Sequence, residues 1–268
     1  MLSNTSRLLT YLNAMLYAVL GALLFLMPEQ LAPVFAWKVS AFTTMTIGGW
    51  CIGNACLAWI AARRWEWGMI YTSLLYLWLF GFTEMGALVF FRDKLVLQHP
   101  IAWLYFVTLI INVITAIVGI YDWLRLRPAR EQKGKQVVWW QRAAILVFVL
   151  SVGFLGVYDS TNQLGDPGTN ADIFPELMSL FTLRSFGLFY LSLALAAVPL
   201  LWEKNLDTML SHGFAAYGLI VFITAAGFVY FRLFDFAAHP GGLLYFGAYL
   251  VVGVPLFFIF LLFGTGTR

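Results

Sequence analysis

Residues 101–124 read IAWLYFVTLIINVITAIVGIYDWL, an apolar run that contains a single charged residue, Asp122. A helix needs about 20 predominantly apolar residues to cross the hydrocarbon core of a bilayer, so this run predicts a transmembrane helix. Seven further runs of the same kind occur, and the fifth of the eight is the shortest. The predicted spans are 8–27, 41–62, 67–91, 101–124, 142–159, 177–202, 211–232 and 242–264.

The composition of the chain indicates that its solvent is lipid. Hydrophobic residues make up 62% of the sequence and charged residues 11%, with a mean hydropathy of +0.83, whereas soluble domains carry about 25% charged residues. In lipid the backbone polar groups must be satisfied within the protein, which leaves helices or a closed barrel. Long unbroken apolar runs favour helices over a barrel, so we expect an all-α polytopic membrane protein.

The distribution of Lys and Arg predicts the orientation, because short cytoplasmic loops carry an excess of these residues. With a cytoplasmic N-terminus, eleven lie inside: Arg7, Arg63, Arg64, Arg125, Arg127, Arg130, Lys133, Lys135, Arg142, Lys204 and Arg268. Five lie outside or within the membrane: Lys38, Arg92, Lys94, Arg184 and Arg232. We therefore expect a plasma (inner) membrane protein with both termini cytoplasmic. Since the basic residues lie at helix ends, the net charge of +3 predicts no nucleic-acid partner.

Two segments of the chain match each other at a constant offset. Residues 90–106 and 230–246 share seven of seventeen positions without a gap. The shared positions are Phe91, Arg92, His99, Pro100, Leu104, Tyr105 and Phe106, which align with Phe231, Arg232, His239, Pro240, Leu244, Tyr245 and Phe246. The match predicts two tandem four-helix repeats, 1–124 and 142–268, joined by a basic cytoplasmic linker at 125–141. Because four helices return the chain to its starting side, the repeats should be parallel.

The repeated segments contain candidate ligand-binding residues, and two interpretations of them stay open. Proline is favoured in the first turn of a helix, where its missing N–H is not needed, so the His-Pro pairs could mark helix starts at the outer headgroups. Alternatively, the two histidines, with tyrosines about two turns below them, mark duplicated sites for a cofactor, a quinone head or a proton. The candidates are Arg92, His99 and Tyr105, and their equivalents Arg232, His239 and Tyr245.

Glu84 and Arg184 are the two charges most clearly within predicted spans. Counting at 1.5 Å per residue places both about 10 Å below the outer boundary, and a lone charge there is costly. Matched depth and opposite sign predict an ion pair between the two repeats. One interpretation is a structural bridge that fixes how the repeats dock. The other is a polar site for substrate or protons at the interface between repeats, where transporters built from repeats bind theirs.

The second predicted span carries a packing motif and both cysteines of the chain. Gly49 and Gly53 form a GxxxG spacing, which lets another helix approach closely. Cys51 and Cys56 are five residues apart and point in different directions on one helix, so they cannot pair there. We expect two small buried thiols, which give no information on the redox compartment.

The sequence contains no phosphate-binding loop, zinc motif or nucleophile elbow, so three functions remain. The favoured expectation is a non-catalytic membrane protein that acts as a subunit or scaffold of a larger membrane assembly. The alternative is a carrier or binding protein for a small or lipophilic molecule at the interface between the repeats. A membrane enzyme acting on a lipid or quinone is the least supported. The expected partners are the bilayer and either other membrane proteins or a lipophilic ligand, and no cofactor is specified.

Overall fold

The fold was analysed in a computed structural model that describes residues 1–129, 135–163, 173–247, 249–250 and 253. Most of these residues are helical, and they form no β-strand. Seven helices are long and apolar enough to cross a membrane, so the chain is an α-helical membrane protein. They are α1 (Asn4–Leu26), α2 (Ala41–Arg64), α3 (Trp67–Phe90), α4 (Pro100–Leu126), α5 (Trp139–Thr161), α6 (Leu180–Ala197, continued by the 3-10 turn Val198–Trp202) and α7 (Leu206–Val229).

The observed helices follow the predicted spans closely and are longer at several ends. α1 starts at Asn4 and α7 at Leu206, before the first apolar residues of the predicted runs. The predicted eighth span at 242–264 lies mostly outside the described residues, although residues 242–247 are helical. Part of the basic linker is likewise outside them. Cys51 is buried and Cys56 half-buried, and both thiols are free.

Local sequence explains where several of these helices begin. The side chains of Ser3, Ser40 and Ser179 each accept a hydrogen bond from a backbone N–H in the first turn of α1, α2 and α6. Such N-caps satisfy donors that a helix start otherwise leaves unpaired. At α4, His99 occupies the N-cap position and Pro100 the first turn, which is the geometry of a helix start.

The helices pack in two groups that meet along four of their members. In the N-terminal group, α1 packs against α2 and α4, and α3 packs against α4 and α2. In the C-terminal group, α5 packs against α6. The groups meet where α2 contacts α7 and where α3 contacts both α6 and α7. The centre of the protein is therefore formed by α2, α3, α6 and α7.

Glycine allows the closest of these contacts between the groups. A Cβ atom on Gly53 would lie 2.8 Å from Leu219 Cα, and one on Gly49 would lie 3.1 Å from the Phe222 carbonyl carbon. The GxxxG face of α2 therefore lies directly against α7. Because a methyl group at Gly53 would have to displace backbone, the spacing of α2 and α7 depends on the missing side chain.

Candidate functional site

The interior of the N-terminal group contains a network of hydrogen-bonded polar side chains. Asn13 donates to Asn112 Oδ1 at 2.9 Å, and Asn112 in turn donates to Tyr17 at 2.8 Å and to the Leu77 carbonyl at 3.1 Å. All three polar side chains are buried. Because an unpaired polar group in lipid is costly, this network fixes how α1, α3 and α4 pack.

Further buried polar side chains lie near the centre of this interior and at one of its ends. Tyr76 donates to Asn54 Oδ1 at 2.7 Å near the centre. At the end where α1 starts, the Asp122 carboxylate accepts hydrogen bonds from the Ser3 backbone N–H and from the hydroxyls of Ser3 and Ser6. An acidic group at a helix N-terminus is favoured by the helix dipole. Asp122 therefore has a structural explanation as the cap of α1.

Glu84 is completely buried between α3, α4 and α6. Its Oε1 accepts a hydrogen bond from Tyr105 at 2.9 Å. The Ser185 hydroxyl is the next polar group beside this carboxylate. Glu84 Oε2 and Ser185 Oγ both lack a hydrogen-bond partner within the described residues. The arrangement leaves one buried acceptor and one hydroxyl facing each other across the contact between the two groups.

The predicted ion pair between Glu84 and Arg184 is wrong. Within the described residues the ion pair is between Lys94 and Asp93 at the surface. Arg184 instead donates from Nη1 to the Asp159 carbonyl at 2.7 Å and lies in the field of the Asp159 side chain. Ser185 and Arg184 are consecutive on α6 and so point about 100° apart. Depth alone could not show which of them faces α3.

Asp159, which sequence reasoning missed, is the second buried carboxylate near this end of the helices. Its side chain is fully buried, and neither carboxylate oxygen has a hydrogen-bond partner among the described residues. Its position as the last residue of the predicted fifth span is typical of a boundary residue. A comparison of the two predicted repeats could have revealed it, because α1 has no carboxylate at the equivalent position.

The repeated candidate residues do not form two equivalent sites. Arg92, Arg232 and His239 are exposed, and His99 is half-buried at the start of α4. Both tyrosines are buried but have different partners, since Tyr105 donates to Glu84 and Tyr245 donates to the Ile223 carbonyl at 3.3 Å. The interpretation of His-Pro as a helix start fits this geometry for α4.

A cavity of about 400 Å³ lies inside the C-terminal group, between α5, α6 and α7. Its wall is almost entirely hydrocarbon. Trp140 and Val147 of α5 line it and are 43% and 58% exposed, so the cavity reaches the outer surface of the group. Representative lining residues are Phe148, Val152, Leu193, Ala197, Met209 and Ala216.

The few polar residues of the cavity wall already have partners in the protein. His212 Nδ1 is 3.3 Å from the Ser73 hydroxyl, and the hydroxyls of Tyr190 and Tyr249 are 2.8 Å apart. Gln141 accepts from the Val138 backbone N–H at 2.9 Å. The wall therefore offers little hydrogen-bonding capacity, and the described residues hold no cluster suited to a metal ion. This arrangement can bind an apolar molecule.

The cavity lies elsewhere than the sequence predicts. The expected lipophilic site is between the repeats, near Glu84 and Arg184. At the contact between the groups, however, Trp50 stacks on Phe189 with ring centroids 4.4 Å apart, and Gly53 abuts Leu219. The cavity described above is instead lined by residues of the C-terminal group.

No protein-family model, curated protein or solved structure matches this chain.

Proposed function

We propose that this chain is a non-enzymatic membrane protein that binds a lipophilic molecule inside its C-terminal group. The observation that carries the proposal is the cavity of about 400 Å³ between α5, α6 and α7. Ligand pockets commonly enclose about 300–1,000 Å³ and have mostly apolar walls. A well-packed protein interior has few voids larger than a water molecule, so a cavity of this size is a feature to be explained by an occupant.

We also propose that the chain consists of two tandem four-helix repeats, the second completed by the span at 242–264. The helix lengths support this organisation, because α1 and α5 both contain 23 residues and α3 and α7 both contain 24. The corresponding starts are Asn4 and Trp139 for α1 and α5, Ala41 and Leu180 for α2 and α6, and Trp67 and Leu206 for α3 and α7. The second and third pairs share one offset, which the serine N-caps Ser40 and Ser179 also obey.

Two contacts at the centre support a parallel, pseudo-twofold arrangement of these repeats. In a twofold arrangement, residues next to the axis meet their own equivalents. Trp50 stacks on Phe189 and Ser73 contacts His212. Both pairs are equivalents, because they obey the offset that relates α2 to α6 and α3 to α7. The axis proposed here passes between the members of each pair, along the membrane normal.

Glycines repeat in the same way at the contact between the first two helices of each repeat. A Cβ on Gly21 would lie 2.7 Å from the backbone nitrogen of Ile52, and one on Gly156 would lie 2.7 Å from that of Leu191. The two glycines are equivalents by the alignment of α1 with α5, and their contacts are equivalents by the alignment of α2 with α6. Equivalent close approaches are expected if the repeats share one ancestral packing.

The proposed orientation places both termini in the cytoplasm of a cell with a plasma (inner) membrane. The support is the excess of Lys and Arg at one end of the helices, where α4 ends, α5 begins and α7 begins. We call this end the basic end. The cavity starts there, since Trp140 and Leu206 both line it.

Native mass spectrometry with hexadecanol, a neutral long-chain alcohol, tests ligand binding. We expect the purified wild-type protein to retain one hexadecanol after release from detergent. Ala216→Trp would fill the cavity and abolish retention. The matched control is Leu150→Trp, which adds the same side chain at a 63% exposed position of α5 and should retain the alcohol. Equal retention by both variants would contradict a site in the cavity.

That the protein belongs to a larger membrane assembly stays a prediction. Ligand binding is compatible with such an assembly and does not depend on it. It is tested separately by the mass of the complex that is purified under mild detergent conditions. A defined assembly with other proteins would support it, and a monodisperse single chain would count against it.

A further inference from the structure

We infer that the occupant of the cavity is a free amphiphile with one alkyl chain and an anionic head, bound with its head at the basic end. The inference rests on the proposed lipophile-binding function and adds the charge, the chain number and the direction of the ligand. It is carried by the shape of the cavity and by three cations at its rim.

The cavity is elongated along the helices. Its lining residues on α5 extend from Gln141 to Leu155, and those on α7 extend from Leu206 to Ile220. At 1.5 Å per residue each set covers about 21 Å, which is a large part of a bilayer's hydrocarbon thickness. A volume of about 400 Å³ spread over this length can hold one alkyl chain, but not two side by side. The shape therefore selects a single-chain molecule over a two-chain phospholipid.

The two ends of the cavity differ in polarity. The end away from the basic end is lined by Tyr190 and Tyr249, whose hydroxyls are paired with each other. The rim at the basic end is lined by Trp140 and Gln141 in the first turn of α5 and by Leu206 at the start of α7. A charged head at the tyrosine-lined end would lie in the membrane without a counter-charge, whereas at the rim it stays near water.

Backbone contacts bind the two sides of this rim together. The Leu206 backbone N–H donates to the Lys135 carbonyl at 2.8 Å, and the Val137 N–H donates to the Lys204 carbonyl at 3.1 Å. Arg142 Nη2 donates to the Glu203 carbonyl at 3.3 Å. These bonds hold the backbones of Lys135 and Lys204 and the guanidinium group of Arg142 beside the residues that line the cavity mouth.

The rim cations are available to an anion. The ion pair found in the described part of the chain is far away, between Lys94 and Asp93. Among the described residues, Glu203 lies next to Lys204, and its carboxylate accepts from the Tyr71 hydroxyl at 2.9 Å and from the backbone N–H groups of Lys204 and Asn205. Asp207, in the first turn of α7, is a second acid described near the rim. The three cations outnumber these two carboxylates, so the described part of the rim carries a positive excess that complements an anionic head.

The test compares hexadecanoate with hexadecanol, which share a chain and differ in head charge. In the triple variant Lys135→Gln, Arg142→Gln and Lys204→Gln we expect hexadecanoate to bind at least about tenfold more weakly, with hexadecanol binding unchanged. The matched control replaces three cations at the opposite end, Arg92→Gln, Lys94→Gln and Arg232→Gln, and should leave both affinities unchanged. Added salt should weaken hexadecanoate binding alone.

Each other outcome has a distinct meaning. If the wild-type protein binds both ligands and the triple variant binds them equally well, the inference of an anionic head is wrong. The proposal of a lipophilic site is then unaffected. If wild type binds neither ligand, the proposed function itself is overturned. If phosphatidylglycerol displaces hexadecanoate as effectively as hexadecanoate displaces itself, the occupant is a bilayer phospholipid and the single-chain inference is wrong.

Discussion

The interiors of the two helix groups differ at positions that correspond when the start of α1 is aligned with the start of α5. Four of the buried residues of α1 are polar, and two of them, Asn13 and Tyr17, form the network with Asn112. On α5 three of the four corresponding residues are apolar, and all four line the cavity. The positions are Ser6, Thr10, Asn13 and Tyr17 on α1, and Gln141, Ile145, Phe148 and Val152 on α5.

The comparison shows how one packing arrangement can serve two purposes. In the N-terminal group, hydrogen bonds require partners at fixed distances, so the side chains fill the interior and hold the helices in register. In the C-terminal group, the apolar replacements make no such demand, and volume is left open between the helices. We interpret the N-terminal group as the rigid support and the C-terminal group as the binding region.

The largest expected effect follows from removing the centre of the polar network. Asn112→Leu deprives Asn13 and Tyr17 of a shared partner and leaves buried polar groups unpaired, which should destabilise the protein by about 2–5 kcal/mol. Thermal unfolding in detergent measures the change. Ile114→Leu, at a 41% exposed position of the same helix, is the control and should unfold like wild type. A neutral Asn112→Leu would show that the N-terminal interior does not depend on its hydrogen bonds.

A smaller loss of stability is expected from a substitution at the contact that joins the two groups. Gly53→Ala places a methyl group against the α7 backbone, and the overpacking should cost about 1–3 kcal/mol. Gly86→Ala is the matched control, because a Cβ there has no neighbouring atom within 4 Å, and it should be neutral or slightly stabilising. Equal thermal stabilities of the two variants would break the account of close packing between α2 and α7.

The contribution of Glu84 to stability should depend on its hydrogen bond with Tyr105 and not on Arg184. Glu84→Gln keeps an acceptor for Tyr105 and adds a donor that can reach Ser185, so it should unfold like wild type. Glu84→Ala leaves the Tyr105 hydroxyl unpaired and should cost about 1–3 kcal/mol. Arg184→Met should cost the same in the wild-type and Glu84→Gln backgrounds, and a double-mutant cycle measures this. A coupling of more than about 1 kcal/mol would restore the predicted ion pair.

Much of the fold could be read from the sequence, because seven apolar runs of membrane-spanning length fix seven helices. The pairing of side chains could not. Glu84 and Arg184 have matched depth, but rotation about the α6 axis turns Ser185 towards α3 and Arg184 towards Asp159. The depth of a residue in the membrane follows from counting residues, whereas the direction in which its side chain points depends on how the helices pack.

The position of the cavity could not be predicted from the sequence for a related reason. The ungapped match of 90–106 with 230–246, extended back along the chain, aligns Asn13 with Gly153. The helix starts instead align Asn13 with Phe148. In the ungapped alignment the exchange of polar for apolar residues cannot be seen. Open volume also leaves no residue pattern of its own, since it depends on what the surrounding side chains fail to fill.

The most direct test of the difference between the two interiors is photolabelling with an alkyl chain that carries a diazirine, followed by mass spectrometry of the labelled residues. The account predicts labels on cavity residues such as Phe148, Val152 and Ala216, competed away by excess hexadecanol. It predicts none on their polar counterparts Asn13 and Tyr17. Labels on Asn13 or Tyr17, or labels confined to the exposed outer faces of the helices, would contradict a binding site in the C-terminal group.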